Sequence, residues 1–544
     1  MPDMTAWTPA FLRWLVAPRP PGPPGYLLPR WLFLRALGLI YFSAFYSLVF
    51  QIRGLIGPHG LLPAGPYLEE VARVMGASRY WFAPTLLWLS SSSHTLSLLC
   101  WVGLIASLLL VLNLWPRAML VVCLVAFLSF VAAAQDFSGY QSDGMLLSAG
   151  FIAFFYAPRG LRPGWGESQP PSRASWFLLQ FVWFTIYFES GVAKIRGGDP
   201  EWRHFTAMDE YYQNGPLPTW IGWYVQHLPH WFHAATAVLT LGIELALVWM
   251  MFLPRRYRIL CFLIVTPFEI GIILTANYTF LNYLVLALGI LLLDDRFLLK
   301  FWPRRFAQRV QQTLDTSGAP SNASNSNPSP RWLGLTRRAA SAAGLWLSAI
   351  FLAWIFYAMA FLLGQELTGH FPLPSAPVVA LEPFRIANRY GLFGRMTRYR
   401  YEIEFQGSND GTNWTAYPFR YKPQDPREAP RIYAPYQPRF DWNLWFAMLG
   451  TWRENPFVVR AEESLLAGEP DVLSLFRGNP FPQAPPRFVR AVLWQYWFTD
   501  LETKRSQGLW WRREFLGLYA PSLERLPDGR LAVAEWPDNL PPPP

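Results

Sequence analysis

The sequence predicts a polytopic α-helical membrane protein with about nine transmembrane helices, followed by a C-terminal β-rich extracytoplasmic domain. Three observations predict this fold class. Of the 544 residues, 52% are hydrophobic and only 15% are charged, whereas a soluble protein carries about a quarter charged residues. Apolar runs near the length of a membrane span recur up to about residue 365. The remaining residues are more polar, alternate in hydrophobicity and are punctuated by proline and glycine.

Nine apolar runs approach the roughly 20 residues that a helix needs to cross the hydrocarbon core. They lie near 31–50, 96–114, 117–135, 144–157, 175–195, 232–253, 257–275, 278–293 and 341–363. The runs at 144–157 and 278–293 are short, so we expect them to tilt little or to be buried among other helices.

Basic residues concentrate in alternate loops between these runs. The loop from Arg296 to Arg338 is strongly basic, whereas residues 197–231 hold more acids than basic residues. Because basic loops stay in the cytoplasm, the pattern places the N-terminus inside and the C-terminus outside. The first run then serves as an uncleaved signal anchor.

The domain boundaries follow from the composition. They are a cytoplasmic N-terminal segment (1–30), a transmembrane helical domain (31–310), a flexible cytoplasmic linker (311–340), the last transmembrane helix (341–363), a β-rich extracytoplasmic domain (376–530) and a Pro-rich tail (531–544). Within the β-rich domain, residues 398–423 predict two strands around the turn "GSNDG", and "PFRYKPQDP" predicts a further strand and turn. The stretch "QPRFDWNLWFAMLG" predicts a short helix with a buried tryptophan face.

The composition excludes several classes. The net charge of +10 suggests nucleic acid only in a soluble protein; here the basic residues orient membrane helices, so we expect lipid and no nucleic acid as partner. Cys100, Cys123 and Cys261 lie inside apolar segments and form no disulfide framework. The motifs of serine hydrolases, P-loop nucleotide-binding proteins and HExxH metalloproteases are missing from the sequence. Arginine outnumbers lysine 42 to 4, which indicates a GC-rich, bacterial genome.

Lys194, in the stretch "YFESGVAKIRGGDPEWR", ends an apolar run and has two interpretations. It is either an anchor that reaches the membrane interface or a member of a site. Glu189 lies five positions earlier, about 140° around the helix, and cannot pair with it. A polar group in hydrocarbon needs a partner, and Glu244 and Glu269 are the candidates from other helices.

We expect the loop after Lys194 to fold over this lysine. Gly197 and Gly198 allow a tight turn, and Asp199 and Glu201 then neutralise Lys194 or Arg196. Trp202 is expected at headgroup level. His233 lies on the same helix face as Glu244, so both could point into one cavity.

The motif "HLPHWFH" places His227, His230 and His233 three residues apart. Pro229 interrupts any continuous helix and no fourth ligand is evident, so we expect aromatic packing and neither a metal nor a cofactor. The candidate functional residues are Lys194, Asp199, Trp202, His227, His233, Glu244, Asn277 and Asn282.

Two groups of motifs resemble the lipase maturation factor family. The first comprises "GVAKIRGGDPEWRHFTAMDEYYQNGPLPTW", "HLPHWFH", "IEL", "NYTFLNYL" and "LLLDD", and the second "RYGLFGRMTRYRYEIEFQGS", "FRYKPQDP", "APYQPRFDWNLWFA" and "NPFPQAPPRFVRA". The resemblance runs from about residue 51 to about 521.

The resemblance implies a membrane protein that assists folding and dimer assembly of secreted lipases. We predict a folding or assembly factor rather than an enzyme. Eukaryotic members lie in the endoplasmic reticulum with the C-terminal region in the lumen; the bacterial equivalent is the inner membrane with this region in the periplasm. The client is then an exported protein such as a lipase. Ser142, Ser148 and Gln213 stand where the family often has tryptophan, glutamate and glutamate.

Two alternatives stay open. The membrane part is faintly similar to vitamin-K-dependent carboxylase-like domains, which implies an enzyme with Lys194 as a desolvated base. A lipid or solute transporter is the third reading, and it would require internal repeats with broken helices. The sequence leaves the oligomeric state and the client's identity open.

Overall fold

The computed structural model describes residues 10–16, 25–303 and 331–538. The predicted linker sequence 311–330 lies outside the described residues, as does the end of the tail. The helices formed by the predicted apolar runs are α2 (Leu27–Val49), α6 (Ser93–Val111), α7 (Pro116–Val131), α8 (Gln141–Tyr156), α9 (Arg173–Arg196), α13 (His230–Leu245), α14 (Arg255–Thr275), α15 (Leu281–Gly289) and α17 (Arg331–Thr368). A 3-10 turn extends α13 over Leu247–Phe252, and another extends α15 over Ile290–Leu292.

Further helices connect these elements or belong to the C-terminal part. They are α1 (Ala10–Val16), α3 (Ile52–Ile56), α4 (Ala64–Met75), α5 (Arg79–Phe82), α10 (Pro200–Arg203), α11 (Tyr211–Asn214), α12 (Trp220–Gln226), α16 (Asp295–Leu298), α18 (Ala376–Val379), α19 (Arg439–Ala447), α20 (Pro456–Ala467), α21 (Pro470–Leu473) and α22 (Leu501–Gln507).

Each predicted apolar run coincides with a helix, but nine membrane spans are not confirmed. Among the described residues, five helices are long and apolar enough to cross a membrane. They are Leu27–Val49, Ser93–Val111, His230–Phe252, Arg255–Thr275 and Ser341–Thr368. The run at 144–157 forms α8, whose side chains are mostly buried among neighbouring helices. The last run belongs to a helix that begins at Arg331, so the end of the predicted linker is helical.

The central helix is α9, which packs against α8, α13, α15 and α17. Most of its side chains are buried, including those of Glu189 and Lys194. At Gly191 the chain comes so close to α13 that a Cβ atom would lie 2.9 Å from the Cβ atom of Glu244. The glycine therefore permits the approach that brings α9 and α13 together.

The C-terminal part contains one antiparallel sheet. Its strands are β1 (Arg400–Ser408), β2 (Thr415–Ala416), β3 (Phe488–Phe498), β4 (Trp511–Leu518), β5 (Ser522–Arg525) and β6 (Leu531–Glu535). The order is β2-β1-β3-β5-β6, and β4 pairs with the other half of β3. The predicted membrane protein with a β-rich C-terminal domain is thus confirmed, and β6 lies beyond the boundary drawn at 530.

The predicted turn at "GSNDG" joins β1 to β2. The carboxylate of Asp410 accepts hydrogen bonds from the backbone N–H groups of Asn413 and Thr412. These bonds hold the pKa of Asp410 well below its ordinary value. The short helix predicted at "RFDWNLWFA" is α19, and both its tryptophans are buried.

The prediction of a strand at "PFRYKPQDP" is wrong, because residues 418–426 form an irregular loop. Three prolines remove ladder donors there. The carboxylate of Asp441 accepts hydrogen bonds from the backbone N–H groups of Tyr421 (3.2 Å) and Lys422 (3.1 Å) instead. Burial raises the pKa of Asp441 to about 6, although these bonds oppose the shift.

One hydrophobic core joins the membrane helices to the sheet. It includes Phe33 and Tyr41 of α2, Phe405 of β1 and Leu444 of α19. Phe137, just before α8, packs edge-on against Phe457 of α20, with ring centroids 5.5 Å apart. The C-terminal domain therefore packs directly on the membrane helices and is not joined to them by the chain alone.

Candidate functional site

The polar residues predicted from the sequence gather where the membrane helices meet the chain after residue 385, a region we call the junction. Lys194, near the end of α9, lies at its centre. Its Nζ donates hydrogen bonds to Oε1 of Glu244 (2.9 Å) and to the carbonyl oxygen of Leu392 (2.8 Å). The same amine lies 5.1 Å from the ring centroid of Trp202.

This geometry distinguishes the two interpretations of Lys194. The side chain is 2% exposed, whereas an anchor extends its amine into water or headgroups. Of the two candidate partners predicted from other helices, Glu244 and Glu269, it is Glu244 that binds the amine. Because the amine already contacts a carboxylate, a carbonyl and an aromatic face, it holds elements together and does not point into open space.

The loop after Lys194 differs from the prediction. Asp199 does not bind Lys194 or Arg196: its carboxylate caps α10 through the N–H of Glu201 (3.0 Å) and accepts a bond from the N–H of Met396 (2.6 Å). Arg196 donates to the carbonyl of Glu366 instead. Backbone N–H groups satisfy Asp199 because the chain after residue 385 passes directly beside it, which the sequence could not reveal.

Two other residues of this loop also differ from expectation. Glu201 lies 3.7 Å from Arg398, so its ion pair points toward the C-terminal domain. Trp202 is buried rather than placed at headgroup level, and its Nε1 donates to the carbonyl of Phe393 (2.8 Å). Both contacts reinforce the junction.

The three histidines of "HLPHWFH" have separate partners. The ring nitrogens of His227 lie 2.7 Å from the carbonyl of Trp223 and 2.8 Å from that of Thr499. His230 lies 3.0 Å from Asp209. Within residues 10–16, 25–303 and 331–538, no group of three His, Cys, Asp or Glu side chains is arranged to hold a metal ion.

His233 is not in the same local site as Glu244, contrary to the prediction of one cavity. The two share a helix face, but eleven residues separate them by roughly 16 Å along α13. The buried His233 ring packs against Tyr212, with ring centroids 5.7 Å apart. Of the described residues, none is hydrogen-bonded to its ring nitrogens.

Asn277 ties three segments together at the junction. Its amide nitrogen donates to the carbonyls of Leu217 (3.0 Å) and Arg431 (2.8 Å). Its amide oxygen accepts from the N–H groups of Tyr433 (2.7 Å) and Ala434 (3.0 Å). One side chain thus fastens the end of α14 to a loop of the C-terminal domain.

Asn282 has a different role, deeper among the helices. Its amide donates to Oε2 of Glu269 (2.7 Å), and the hydroxyl of Tyr187 donates to the other carboxylate oxygen. Glu269 is therefore paired with α9 and α15 rather than with Lys194. The predicted alternative partner of Lys194 is excluded by this geometry.

The most deeply buried ion pair of the junction, Asp143 with Arg439, was not predicted from the sequence. Both side chains are 0% exposed, and the guanidinium donates two hydrogen bonds, of 2.7 and 2.8 Å, to the carboxylate. Arg439 also donates to the carbonyl of Phe137 (2.7 Å). An acid at the start of the apolar run of α8 was the available signal, because such an acid needs a partner as much as Glu244 does.

Gln213 explains one departure from the family pattern. Its Oε1 accepts from the N–H of Phe498 (2.7 Å), while its Nε2 lies 3.3 Å from Oε2 of Glu210. An amide can serve both partners, whereas a carboxylate would repel Glu210. Ser142 and Ser148, the other two departures, are buried in α8.

The junction holds two parts of the chain in one arrangement. Of the eight predicted residues, five bond directly to the chain after residue 385: Lys194, Asp199, Trp202, His227 and Asn277. In the opposite direction, the guanidinium of Arg400 in β1 donates to the carbonyls of Gln213 in α11 (2.9 Å) and Pro216 in the loop after it (3.2 Å). The junction therefore immobilises its side chains and keeps its charge pairs buried from water.

Two sequence models of one protein family match this chain, each over a separate range. The sequence model of the lipase maturation factor transmembrane domain matches residues 28–300, and that of the lipase maturation factor C-terminal domain matches residues 386–521. No solved structure matches.

Relatives extend over nearly the whole chain. It is 31% identical to lipase maturation factor 1 of Bos taurus over 96% of this chain and 96% of that protein. It is 31% identical to lipase maturation factor 1 of Homo sapiens over 93% and 91%. Lipase maturation factor 2 of Gallus gallus is 30% identical over 94% of this chain and 84% of that protein. The chain is an integral membrane protein and belongs to the lipase maturation factor family.

Proposed function

We propose that this protein is a non-catalytic maturation factor that assists the folding or assembly of exported proteins, lipases among them. The names of its relatives support a maturation role. The absence of a catalytic role is proposed because the amine of Lys194 is fully engaged by neighbouring groups. Its amine contacts Glu244, Leu392 and Trp202, whereas a catalytic base must reach its substrate.

The proposed client surface comprises the loop 196–231 and the adjoining C-terminal domain. This loop exposes several large apolar side chains, namely Phe205, Trp220, Tyr224, Leu228 and Trp231. Tyr224 contacts Trp510 of the C-terminal domain, with ring centroids 6.2 Å apart. Exposed apolar groups beside a rigid junction are suited to hold an incompletely folded chain.

The test is co-expression with a secreted lipase in a host that lacks this protein. We expect the lipase activity per milligram of secreted lipase to rise, and the lipase to co-purify with the full-length chain. The double substitution Phe205→Ser and Tyr224→Ser should reduce both effects by about tenfold, equivalent to about 1.4 kcal/mol of binding. Leu161→Ser, another exposed apolar position, is the matched control and should change neither.

Intact-mass spectrometry of the lipase separates this proposal from the enzyme alternative. A folding factor leaves the mass of the client unchanged, whereas a carboxylase adds a carboxyl group to it. Activation accompanied by a defined mass increase would contradict the proposal, and so would equal activation by the wild type and the double variant.

The proposed location is the inner membrane of a bacterium, with the N-terminus in the cytoplasm and the C-terminal domain in the periplasm. Alternating basic loops support this orientation. In a cysteine-free background, Ser324→Cys should react only after the cells are opened. Asn409→Cys, in the turn between β1 and β2, should react with a membrane-impermeant maleimide in cells whose outer membrane is permeabilised and whose inner membrane is intact. Reaction of both cysteines from the same side would reject the orientation.

A further inference from the structure

The segment between α4 and α6 exposes an unusual run of apolar side chains. Between Val74 and Leu89 the exposed ones are Val74, Met75, Tyr80, Trp81, Phe82, Leu86 and Leu89. Leu89 is 87% exposed. A water-facing loop rarely carries so many contiguous apolar groups, and such a patch marks an interaction surface.

The contacts of this segment with α7 show how deep it lies relative to the membrane helices. The hydroxyl of Thr85 donates to the carbonyl of Ser129 (2.8 Å), and the N–H of Leu86 donates to the hydroxyl of Ser129 (3.0 Å). Ser129 lies two residues before the end of α7 at Val131, about 3 Å along the helix axis. The segment is therefore docked below the end of α7, which packs along the membrane-spanning α6.

The polar groups also follow the depth expected at a membrane surface. Arg79 is the single charged residue between Val74 and Leu89. Its guanidinium lies 4.7 Å from the ring centroid of Tyr80 and 5.3 Å from that of Trp88. Glu70 and Arg73, on the preceding turns of α4, form an exposed ion pair. Tyr, Trp and stacked arginine are typical of the headgroup layer, and the ion pair is typical of water.

The same segment contacts the chain that leads into the C-terminal domain. The Nε1 of Trp81 donates to the carbonyl of Ala380 (3.2 Å), and its ring lies 4.9 Å from that of Phe384. Val379 is exposed beside them. The apolar surface thus continues across α18, on the side of the membrane where the C-terminal domain lies.

We propose that residues 74–89 form an interfacial anchor that is immersed in the lipid leaflet next to the C-terminal domain. The occupant of the patch is the lipid surface, since the segment is docked at the depth of α7 and leads directly into a membrane span. Through Trp81, this anchor positions the chain entering the C-terminal domain at the membrane surface.

The test measures lipid contact in the full-length protein reconstituted in phosphatidylcholine nanodiscs. The buried Cys100, Cys123 and Cys261 are replaced by alanine, and bimane is attached to Leu89→Cys. Glu69→Cys, exposed on α4, is the matched control. Size-exclusion chromatography verifies that both labelled proteins elute as the unlabelled one does.

We expect 5-doxyl phosphatidylcholine to quench bimane at Leu89→Cys at least threefold more than at Glu69→Cys, and aqueous iodide to show the opposite order. Equal quenching at the two positions would overturn the anchor. Protection of the Leu89→Cys label from both quenchers would also overturn it, because protein would then cover the patch.

Discussion

Replacing Arg439 by methionine is expected to lower the free energy of unfolding by about 3–5 kcal/mol, because it leaves the carboxylate of Asp143 buried without its partner. Both side chains are 0% exposed, so water cannot take over the lost hydrogen bonds. The aromatic rings of Phe130 and Tyr140 also lose their contact with the guanidinium, whose carbon lies 4.7 and 5.4 Å from their centroids. The loss of stability is measured as the shift of the midpoint of SDS-induced unfolding in mixed micelles.

The control is Arg73→Met, which breaks an exposed ion pair with Glu70. Such pairs contribute about 0–1 kcal/mol, so this variant should behave nearly as the wild type does. Combining Arg439→Met with Asp143→Asn removes both buried charges and should recover more than half of the lost stability. If Arg439→Met costs no more than Arg73→Met, the Asp143–Arg439 pair does not hold the junction.

The helices could be predicted because each apolar run must satisfy its own backbone hydrogen bonds in lipid. The sequence could also name Glu244, beside Glu269, as a candidate partner of Lys194, because a charge at that depth needs a counter-charge. The sequence could not predict the carbonyl of Leu392, which lies 198 residues away from Lys194 along the chain. Contacts of this kind depend on how the C-terminal domain docks, and no local pattern encodes that docking.

The failures around Asp199 and Trp202 have the same origin. The loop 196–203 was predicted to fold over Lys194, with Trp202 among the lipid headgroups. In that setting an acid neutralises the nearest base and a tryptophan lies at the interface. The domain after residue 385 replaces the headgroups, and it offers backbone N–H and C=O groups to both side chains. The predicted strand at 418–426 failed because Asp441, not a neighbouring strand, satisfies the backbone there.

Lys194→Met is expected to lower the stability by about 3–5 kcal/mol and to reduce client maturation at least tenfold. The substitution keeps the length of the side chain but leaves Glu244 buried without a counter-charge. Lys194→Arg keeps the charge and enlarges the head group in a site closed by Glu244, Leu392 and Trp202. Overpacking costs about 1–3 kcal/mol, so this variant should be intermediate. An interfacial anchor would instead tolerate arginine and lose little with methionine.

The double variant Lys194→Met with Glu244→Gln decides what the amine does. It contains neither buried charge, so we expect the unfolding midpoint to return most of the way to that of the wild type. If the lysine only holds α9, α13 and the segment around Leu392 together, maturation should recover in parallel with stability. The comparison requires equal amounts of each variant in the membrane, measured by immunoblotting, with client activity normalised to secreted client protein. A double variant that is as stable as the wild type but still fails to mature its client would show that the amine itself takes part in the reaction, and the non-catalytic proposal would then be wrong.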